Sequence, residues 1–280
     1  MIWFCPYELN GAAASAGPLR PARAGAPRSG ALIRAGSGFA DVHPWPELGD
    51  EPLDEQLHRL ARGETTPLTR RSLELARIDA EARERGASLF EGLTIPLSHW
   101  PGSDPPPEFD TAKIKGLERI PDRVRLRIDF NARLRPEEFL MIAEGLPRER
   151  IDFVEDPCPY DGATWTALRG ETGLRLALDR FPADEGVDVL IVKPAIQEIP
   201  QTQKEMIITS YMDHPVGQFG AAYVAALHPA PRCGLFTHVL YETNEFSERI
   251  RSDGARLLAP EGTGVGFDDL LERLPWKVLK

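Results

Sequence analysis

Lysine is scarce in this chain: only six of its 33 basic residues are lysine, and the rest are arginine. Positive charge is short overall. The formal net charge of −10 argues against a nucleic acid or an anionic membrane as the natural partner, because both need a basic face. No apolar run approaches the roughly 18 residues a bilayer-spanning helix requires. Met1 to Asn10 lacks a positive leader region and runs into Ala/Gly/Pro-rich sequence, so no secretory signal is expected. Cysteine is nearly absent. Cys5, Cys158 and Cys233 are odd in number, far apart and outside any C-x-x-C pattern, which argues against a disulfide framework and for a reduced, cytoplasmic protein. His43, His58, His99, His228 and His238 show no metal-ligand spacing, and neither G-x-S-x-G nor H-E-x-x-H occurs. Gly262-Thr263-Gly264-Val265-Gly266 is too irregular and too late in the chain for a dinucleotide fingerprint.

What is present falls into two textures. Over the first ninety or so residues, weak strands fit Trp3–Leu9 and Ala31–Arg34 around an Ala/Gly/Pro/Arg-rich stretch, residues 11–31, that reads as a mobile loop. A helix fits Pro52–Arg62, with Leu53, Leu57 and Leu60 on one face and Gly63 as its stop. A longer one fits Pro67–Arg85, capped by Thr66 and ended by Gly86. From about Leu93 the chain turns to short β-branched runs. Strands are expected at Leu93–Leu97, Thr111–Lys115, Val124–Phe130, Ile151–Glu155, Leu174–Asp179, Val187–Lys193, Met206–Ser210 and Leu235–Val239. Helical patterns at Pro136–Leu146, Thr164–Thr172 and Pro215–Leu227 alternate with them, which implies a parallel α/β sheet, and eight candidate strands favour a closed barrel. Only thirteen residues separate Lys115 from Asp129, and thirteen separate Asp179 from Lys193. Neither interval leaves room for a full crossover helix once its strands are subtracted.

Three of the few lysines sit at expected strand ends: Lys113, Lys115 and Lys193. Arginine stays protonated at any useful pH, whereas a crowded lysine can give up its proton and act as a base. Between these lysines, Asp129, Glu155 and Asp179 each close an apolar run. Strand side chains alternate, so Lys113 and Lys115 share a face, as do Arg127, Asp129 and Asn131. In a barrel that face is the interior, and catalytic groups gather at the C-terminal strand ends. Three converging carboxylates would repel unless a hard divalent cation lay among them, and Mg2+ suits oxygen ligands with retained waters. Taken singly, each acid reads as a turn or helix cap and Lys-x-Lys as a solvated edge. The case rests on five successive strand ends being polar at the same end.

The segment Thr111–Pro194 resembles the barrel of the enolase superfamily. Lys113-Ile114-Lys115 matches its second-strand lysine motif. Asp129, Glu155 and Asp179 match the magnesium ligands of strands three to five, and Lys193 matches the lysine ending strand six. Val154-Glu155-Asp156-Pro157-Cys158 and Ile191-Val192-Lys193-Pro194 resemble the o-succinylbenzoate synthases of menaquinone biosynthesis, as does Gly262-Thr263-Gly264 before a helix at Phe267–Leu274. The resemblance covers roughly two thirds of the chain. It implies a (β/α)7β TIM-like barrel over residues 93–240, with crossovers two and five shortened. It also implies an N-terminal α+β capping domain over residues 1–92, to which residues 241–280 return, and a substrate-covering loop at residues 17–34.

The same resemblance implies a reaction. A magnesium-bound substrate carboxylate would make the neighbouring C–H acidic, and its enediolate charge would fall on the metal. Lys115 would be the base, its neutral form favoured by the cationic neighbours Lys113, Lys193 and the metal. It would return the proton to a departing hydroxyl, giving syn loss of water from 2-succinyl-6-hydroxy-2,4-cyclohexadiene-1-carboxylate to form o-succinylbenzoate. Lys193 would stabilise the intermediate from the opposite side. Arg127 and Asn131 would orient the ligands, and Ser210, ending strand seven, would hydrogen-bond the substrate. An inward Arg127 could instead simply pair with a barrel acid. Asp213-His214 reads as loop polarity capping the helix from Pro215. Two other functions stay open: an isomerase on the same scaffold (acylamino-acid racemase, dipeptide epimerase or muconate cycloisomerase), and a non-catalytic α/β binding protein. The oligomeric state is not legible.

Overall fold

A computed structural model describes residues 1–12, 27–117, 119–179, 183, 185–228 and 231–280. The expected loop at residues 11–31 and the covering loop at residues 17–34 therefore lie largely outside the described residues. Residues 28–35 are strand, not loop.

The N-terminal layer is an antiparallel sheet in the order β13-β1-β2-β3, where β1 is Ile2–Leu9, β2 Arg28–Ala35, β3 Gly38–Val42 and β13 Lys277–Val278. β1 and β2 pair along their whole length, from Ile2 opposite Ala35 to Leu9 opposite Arg28. Two helices follow, α1 (Leu53–Ala61) and α2 (Pro67–Glu84). Thr66 caps α2 as expected, accepting from the Thr69 amide while the Thr69 side chain returns a bond to the Thr66 amide. α2 lies directly on β3. A Cβ at Gly38 would stand 1.8 Å from the Ala76 carbonyl oxygen, so only glycine permits that approach. Asp79 of α2 then joins three segments, accepting the Phe39 amide at 2.8 Å, the Val265 amide at 2.5 Å and Arg83 Nε at 2.7 Å.

The second layer is a curled sheet of seven parallel strands in the order β10-β9-β8-β7-β6-β5-β4. These are β4 Trp100–Pro101, β5 Thr111–Lys115, β6 Arg125–Asp129, β7 Ile151–Glu155, β8 Leu176–Asp179, β9 Val189–Val192 and β10 Glu205–Ile208. Cys233 and Gly234 close the ring. Cys233 bridges Ser98 beside β4, and Gly234 bridges Thr209 beside β10. The closure is tight, since a Cβ at Gly234 would meet Thr209 Cγ2 at 2.7 Å and His99 Cε1 at 2.9 Å. Phe153, Ala177, Val189, Ile191 and Ile207 fill the lumen below the strand ends. Inward residues are odd-numbered on each of these strands, so Lys113, Lys115, Asp129, Glu155 and Asp179 point inward too.

Two expected strands are displaced. The first is Trp100–Pro101 rather than Leu93–Leu97, and the eighth shrinks to the Cys233–Gly234 bridges while Thr237–Leu240 forms a 3-10 turn. Leu235 and Phe236 are buried regardless, and apolar content alone does not separate a strand from a buried irregular segment. Three crossover helices occur among the described residues: α3 (Pro136–Glu144), α4 (Gly162–Thr172) and α5 (Pro215–Leu227). Among their described residues the β5–β6 and β8–β9 connections form no helices, in keeping with their short lengths. The β4–β5 and β9–β10 connections lack them as well, so the outer ring is thinner than the (β/α)7β expectation. A short α6 (Asp268–Arg273) and the hairpin of β11 (Ser252–Asp253) with β12 (Arg256–Leu257) lead back to β13. Among the described residues, no helix is long and apolar enough to cross a membrane. All three cysteines are free and buried.

The two layers meet along a buried polar seam. Trp45 Nε1 donates to the Tyr211 carbonyl at 2.8 Å, and the Tyr211 hydroxyl donates to Asp50 at 2.8 Å. Asp41 of β3 accepts Tyr7 Oη at 2.7 Å and the His214 amide at 3.0 Å. His214 caps α5, its Nδ1 accepting from the Val216 amide at 3.2 Å. Asp213 lies against Asp41 with Oδ1 lacking any hydrogen-bond partner among the described residues. A Cβ at Gly217 would touch both carboxylates, at 2.6 Å from Asp213 Oδ2 and 2.7 Å from Asp41 Oδ2. Burial pushes the Asp213 carboxyl up to about 7. Burial and then the charge of Asp213 push Asp41 well above the usual range. The folded seam thus holds a proton that the unfolded chain releases near pH ~4. Asp213 should therefore subtract stability progressively as pH rises from about 4 to about 7, because the native state binds more protons there. Asp213→Asn should gain melting temperature relative to the parent as pH is raised from 5 to 8. A difference that stays constant over that range would show that the pair carries no shared proton.

Candidate active site

The site follows from strand register. Lys115 lies beside Asp129, and Asp129 beside Glu155, so these three inward groups form one level across β5, β6 and β7. The barrel's stagger then raises the next two. Glu155 pairs with Ala177 and Asp179 with Ile191, which puts Asp179 and then Lys193 each one inward position higher. Five neighbouring strands thereby converge at their C-terminal ends.

Lysines and acids meet there as ion pairs. Lys113 Nζ lies 2.6 Å from Glu155 and 3.1 Å from Asp129 Oδ2. Lys115 Nζ pairs with Asp129 Oδ2 and donates to Asn131 Oδ1 at 2.8 Å. Lys193 Nζ pairs with Asp179 Oδ2. Asn131 has a left-handed backbone (φ 51°) that carries its amide back to Asp129 Oδ1 at 2.8 Å. Glu155 is only 1% exposed and Asp129 only 2%, so these charges act on one another with little water between them. Against the cost of burial, the ammonium groups of Lys113 and Lys115 hold the Asp129 carboxyl well below the usual range. Burial likewise opposes the Lys113 ammonium, yet Glu155 and then Asp129 keep it well above its ordinary value. Burial and the Asp129 charge push Glu155 up to about 7. Acid, not base, is in excess at this end of the barrel.

The donor set fits a divalent cation. Carboxylate oxygens of Glu155, Asp156 and Asp179 lie within 4.8 Å of one another. Asp179 Oδ1 is buried without a hydrogen-bond partner among the described residues, and Glu155 Oε2, likewise buried, is met by the Lys113 ammonium at 2.6 Å. Buried carboxylate oxygens that no donor satisfies are what a hard cation supplies with charge.

Asp156 is the member of this group that sequence reading passed over. It sits one residue beyond the strand end, where alternation predicts an outward side chain. Its left-handed backbone (φ 43°) reverses that direction, and its Oδ1 accepts the Asp179 amide at 3.1 Å. Burial, then the charge of Glu155, pushes its carboxyl up to about 8.

Lys113, Lys115, Asp129, Asn131, Glu155, Asp179 and Lys193 are therefore brought together, while two other expected site residues, Arg127 and Ser210, make their side-chain hydrogen bonds to other groups. Arg127 points inward one layer deeper, over the Phe153 ring at 4.9 Å. Its Nε donates to Asp152 at 2.8 Å and its Nη1 to His99 Nδ1 at 2.8 Å. Arginine only donates, so His99 Nδ1 is unprotonated. The pleat explains the displacement: two residues along a strand move a side chain by about 7 Å, enough to leave the strand-end level. The Ser210 hydroxyl pairs with Thr237 Oγ1 at 2.5 Å.

A closed parallel barrel with acids and lysines on successive strand ends, under an α+β layer, defines an enzyme of the enolase superfamily. Solved structures share this fold. A dipeptide epimerase from Cytophaga hutchinsonii, complexed with Mg and the dipeptide D-Ala-L-Val, superposes with a TM-score of 0.74 at 16% identity, covering 100% of this chain and 99% of that one. A mandelate racemase/muconate lactonizing protein from Herpetosiphon aurantiacus gives 0.73 at 15% identity, covering 95% and 96%. Residues 2–82 match the family described as O-succinylbenzoate synthase, N-terminal domain. The o-succinylbenzoate synthase of Bdellovibrio bacteriovorus is 34% identical over 329 aligned residues, covering 100% of this chain and 98% of that one. That of Klebsiella pneumoniae is 30% identical over 146 residues, 44% of this chain and 45% of that one. The chain belongs to the o-succinylbenzoate synthase family, whose members are carbon–oxygen lyases.

Lys113 carries much of the compensation at these strand ends. Lys113→Met would leave Glu155 and Asp129 buried without their shared counter-charge, and breaking such a pair costs ~3 kcal/mol. Chemical denaturation in the absence of divalent cations should show that loss. A change under ~1 kcal/mol would mean that water already screens these acids.

Proposed function

We propose that the chain dehydrates 2-succinyl-6-hydroxy-2,4-cyclohexadiene-1-carboxylate to o-succinylbenzoate, as a Mg2+-dependent cytoplasmic enzyme of menaquinone biosynthesis. The observation that carries this reading is the placement of two lysines, Lys115 on β5 and Lys193 just beyond β9, on either side of the acids borne by β6, β7 and β8.

Asp129, Glu155 and Asp179 would hold the ion. When bound, Mg2+ supplies positive charge beside the substrate carboxylate and so makes its α-hydrogen acidic. Lys115, as the free amine, takes the proton from C1, and the electron pair of that C–H bond passes into the carboxylate. The pair then returns to form the C1–C6 double bond while the C6–oxygen bond breaks. Lys115, now an ammonium, gives its proton to the departing hydroxyl on the same face, so water leaves and the ring becomes aromatic. Lys193 holds its ammonium charge against the opposite face of the developing anion. Lys113 stays protonated and favours the ionised forms of Asp129 and Glu155. Asn131 fixes Lys115 by accepting its hydrogen bond. Ser210, at the end of strand seven, is our candidate for a substrate hydrogen bond. The pairing of Arg127 with Asp152 and His99 supports a structural role for it below the site.

We assign residues 93–240 to the barrel and residues 1–92, with 241–280 returning, to a cap that closes over a small carboxylate substrate. The pairing of β13 with β1 supports that return. A second reading, an epimerase or racemase, is favoured by the same pair of lysines, since removal and return of a proton on opposite faces needs two bases. Incubation in D2O separates the two. Dehydration gives an aromatic product, whereas racemisation incorporates α-deuterium without one.

General-base removal typically costs about 10²–10⁴ in rate. Lys115→Ala should lower kcat into that range while leaving the Mg2+-dependent rise in melting temperature in place. Retention of more than a tenth of the activity would remove Lys115 from the base role.

A further inference from the structure

The four acids at the strand ends are not equally compensated. Lys113 serves Glu155 and Asp129, Lys115 serves Asp129, and Lys193 serves Asp179. Asp156 has no ammonium or guanidinium partner among the described residues, although its carboxylate belongs to the same 4.8 Å group as Glu155 and Asp179. Its position is fixed rather than incidental. Its amide donates to the Ala177 carbonyl at 3.0 Å, and its carbonyl accepts the Ala132 amide at 2.7 Å. Those bonds tie the turn after β7 to β8 on one side and to the loop after β6 on the other. A left-handed backbone at a non-glycine residue is held only by such surroundings.

The neighbouring acceptors point the same way. Asp179 Oδ1 is buried without a hydrogen-bond donor among the described residues, and Glu155, in a side chain 1% exposed, shares the Lys113 ammonium with Asp129. Asp156 Oδ1 is occupied by the Asp179 amide, and among the described residues its second oxygen is open to another partner. An unsatisfied acceptor on Asp179, and an Asp156 carboxylate with no cationic partner among the described residues, leave this end of the barrel short of positive charge.

We infer that Asp156 is a fourth carboxylate of the cation cradle, adding its charge and one oxygen to the ion beside Glu155 and Asp179 while its other oxygen positions the Asp179 backbone. This rests on the proposed reading that the strand-end acids hold Mg2+. Asp156 acts on the ion and on Asp179; it does not transfer the proton.

Two substitutions separate charge from positioning. Asparagine at position 156 keeps a carbonyl oxygen for the Asp179 amide but removes the charge, and alanine removes both. Titration calorimetry of the full chain with MgCl2 alone reads the result without any turnover. Supporting contacts of metal sites are worth about 10–100-fold in affinity. Asp156→Asn should weaken Mg2+ binding about tenfold or more, and Asp156→Ala at least as much. The cation-free melting temperature of Asp156→Asn should not fall below the parent's, which shows that the variant still folds. Binding by Asp156→Asn within twofold of the parent overturns the inference, even if Asp156→Ala is weak, because positioning alone would then suffice. The parent and Glu155→Gln report on the underlying reading. If the parent takes up no Mg2+, that reading falls and this inference with it. If the parent binds, Glu155→Gln does not, and Asp156→Asn matches the parent, only the inference falls.

Discussion

Everything at the open end of this barrel depends on the mutual repulsion of carboxylates brought together away from water. Asp129, Glu155, Asp156 and Asp179 lie on three adjacent strand ends, and two of them are nearly inaccessible to solvent. Such a cluster holds together only if positive charge lies among its members. Three ammonium groups supply part of that charge and tie strand to strand in doing so. One carboxylate charge is left over, which a bound divalent ion would more than offset. The lysines of the proposed chemistry are thus also the groups that let the scaffold tolerate its acids, and function and stability draw on the same pairs.

The scaffold beneath is economical. Three crossover helices are present among the described residues, yet the ring of strands still closes, through a bridge at Cys233 and another at Gly234. Two features explain why a thin outer ring suffices. The lumen is filled by its own apolar layer around Phe153 and Ile191. The Arg127, Asp152 and His99 group then forms a second, fully paired polar layer lower down. On the other side, α2, β3 and the seam around Asp41 and Asp213 fasten the N-terminal layer to the end of strand seven. The cap is therefore positioned by buried polar contacts beside the site as well as by apolar packing.

The sequence disclosed the site more fully than it disclosed the strands. Lysine scarcity singled out Lys113, Lys115 and Lys193, and alternation placed them on one face with the acids. The first and eighth strands were mislocated because Leu93–Leu97 and Leu235–Val239 have the apolar content of strands but bury it without a ladder. For Arg127 the alternative kept open from the sequence, an inward arginine paired with a barrel acid, matches its bond to Asp152, since alternation says which side of a sheet a residue occupies and nothing of how high it stands. Asp156 escaped notice because its side chain is turned inward by a backbone conformation that no periodicity encodes. Interval length alone showed that a full helix would hardly fit after β5 or β8, and none forms among the described residues there.

By itself, the chain's composition and spacing determined the chemical kinds available, amine and carboxylate at successive strand ends, because residue type and period-two alternation are local properties. Only the folded barrel decided which of those groups share a level, which lysine compensates which acid, and which acid lacks one among the described residues. Those relations depend on the stagger between strands and on turns that redirect a side chain. Both are set by packing between segments distant in the chain, so no single stretch of sequence contains them.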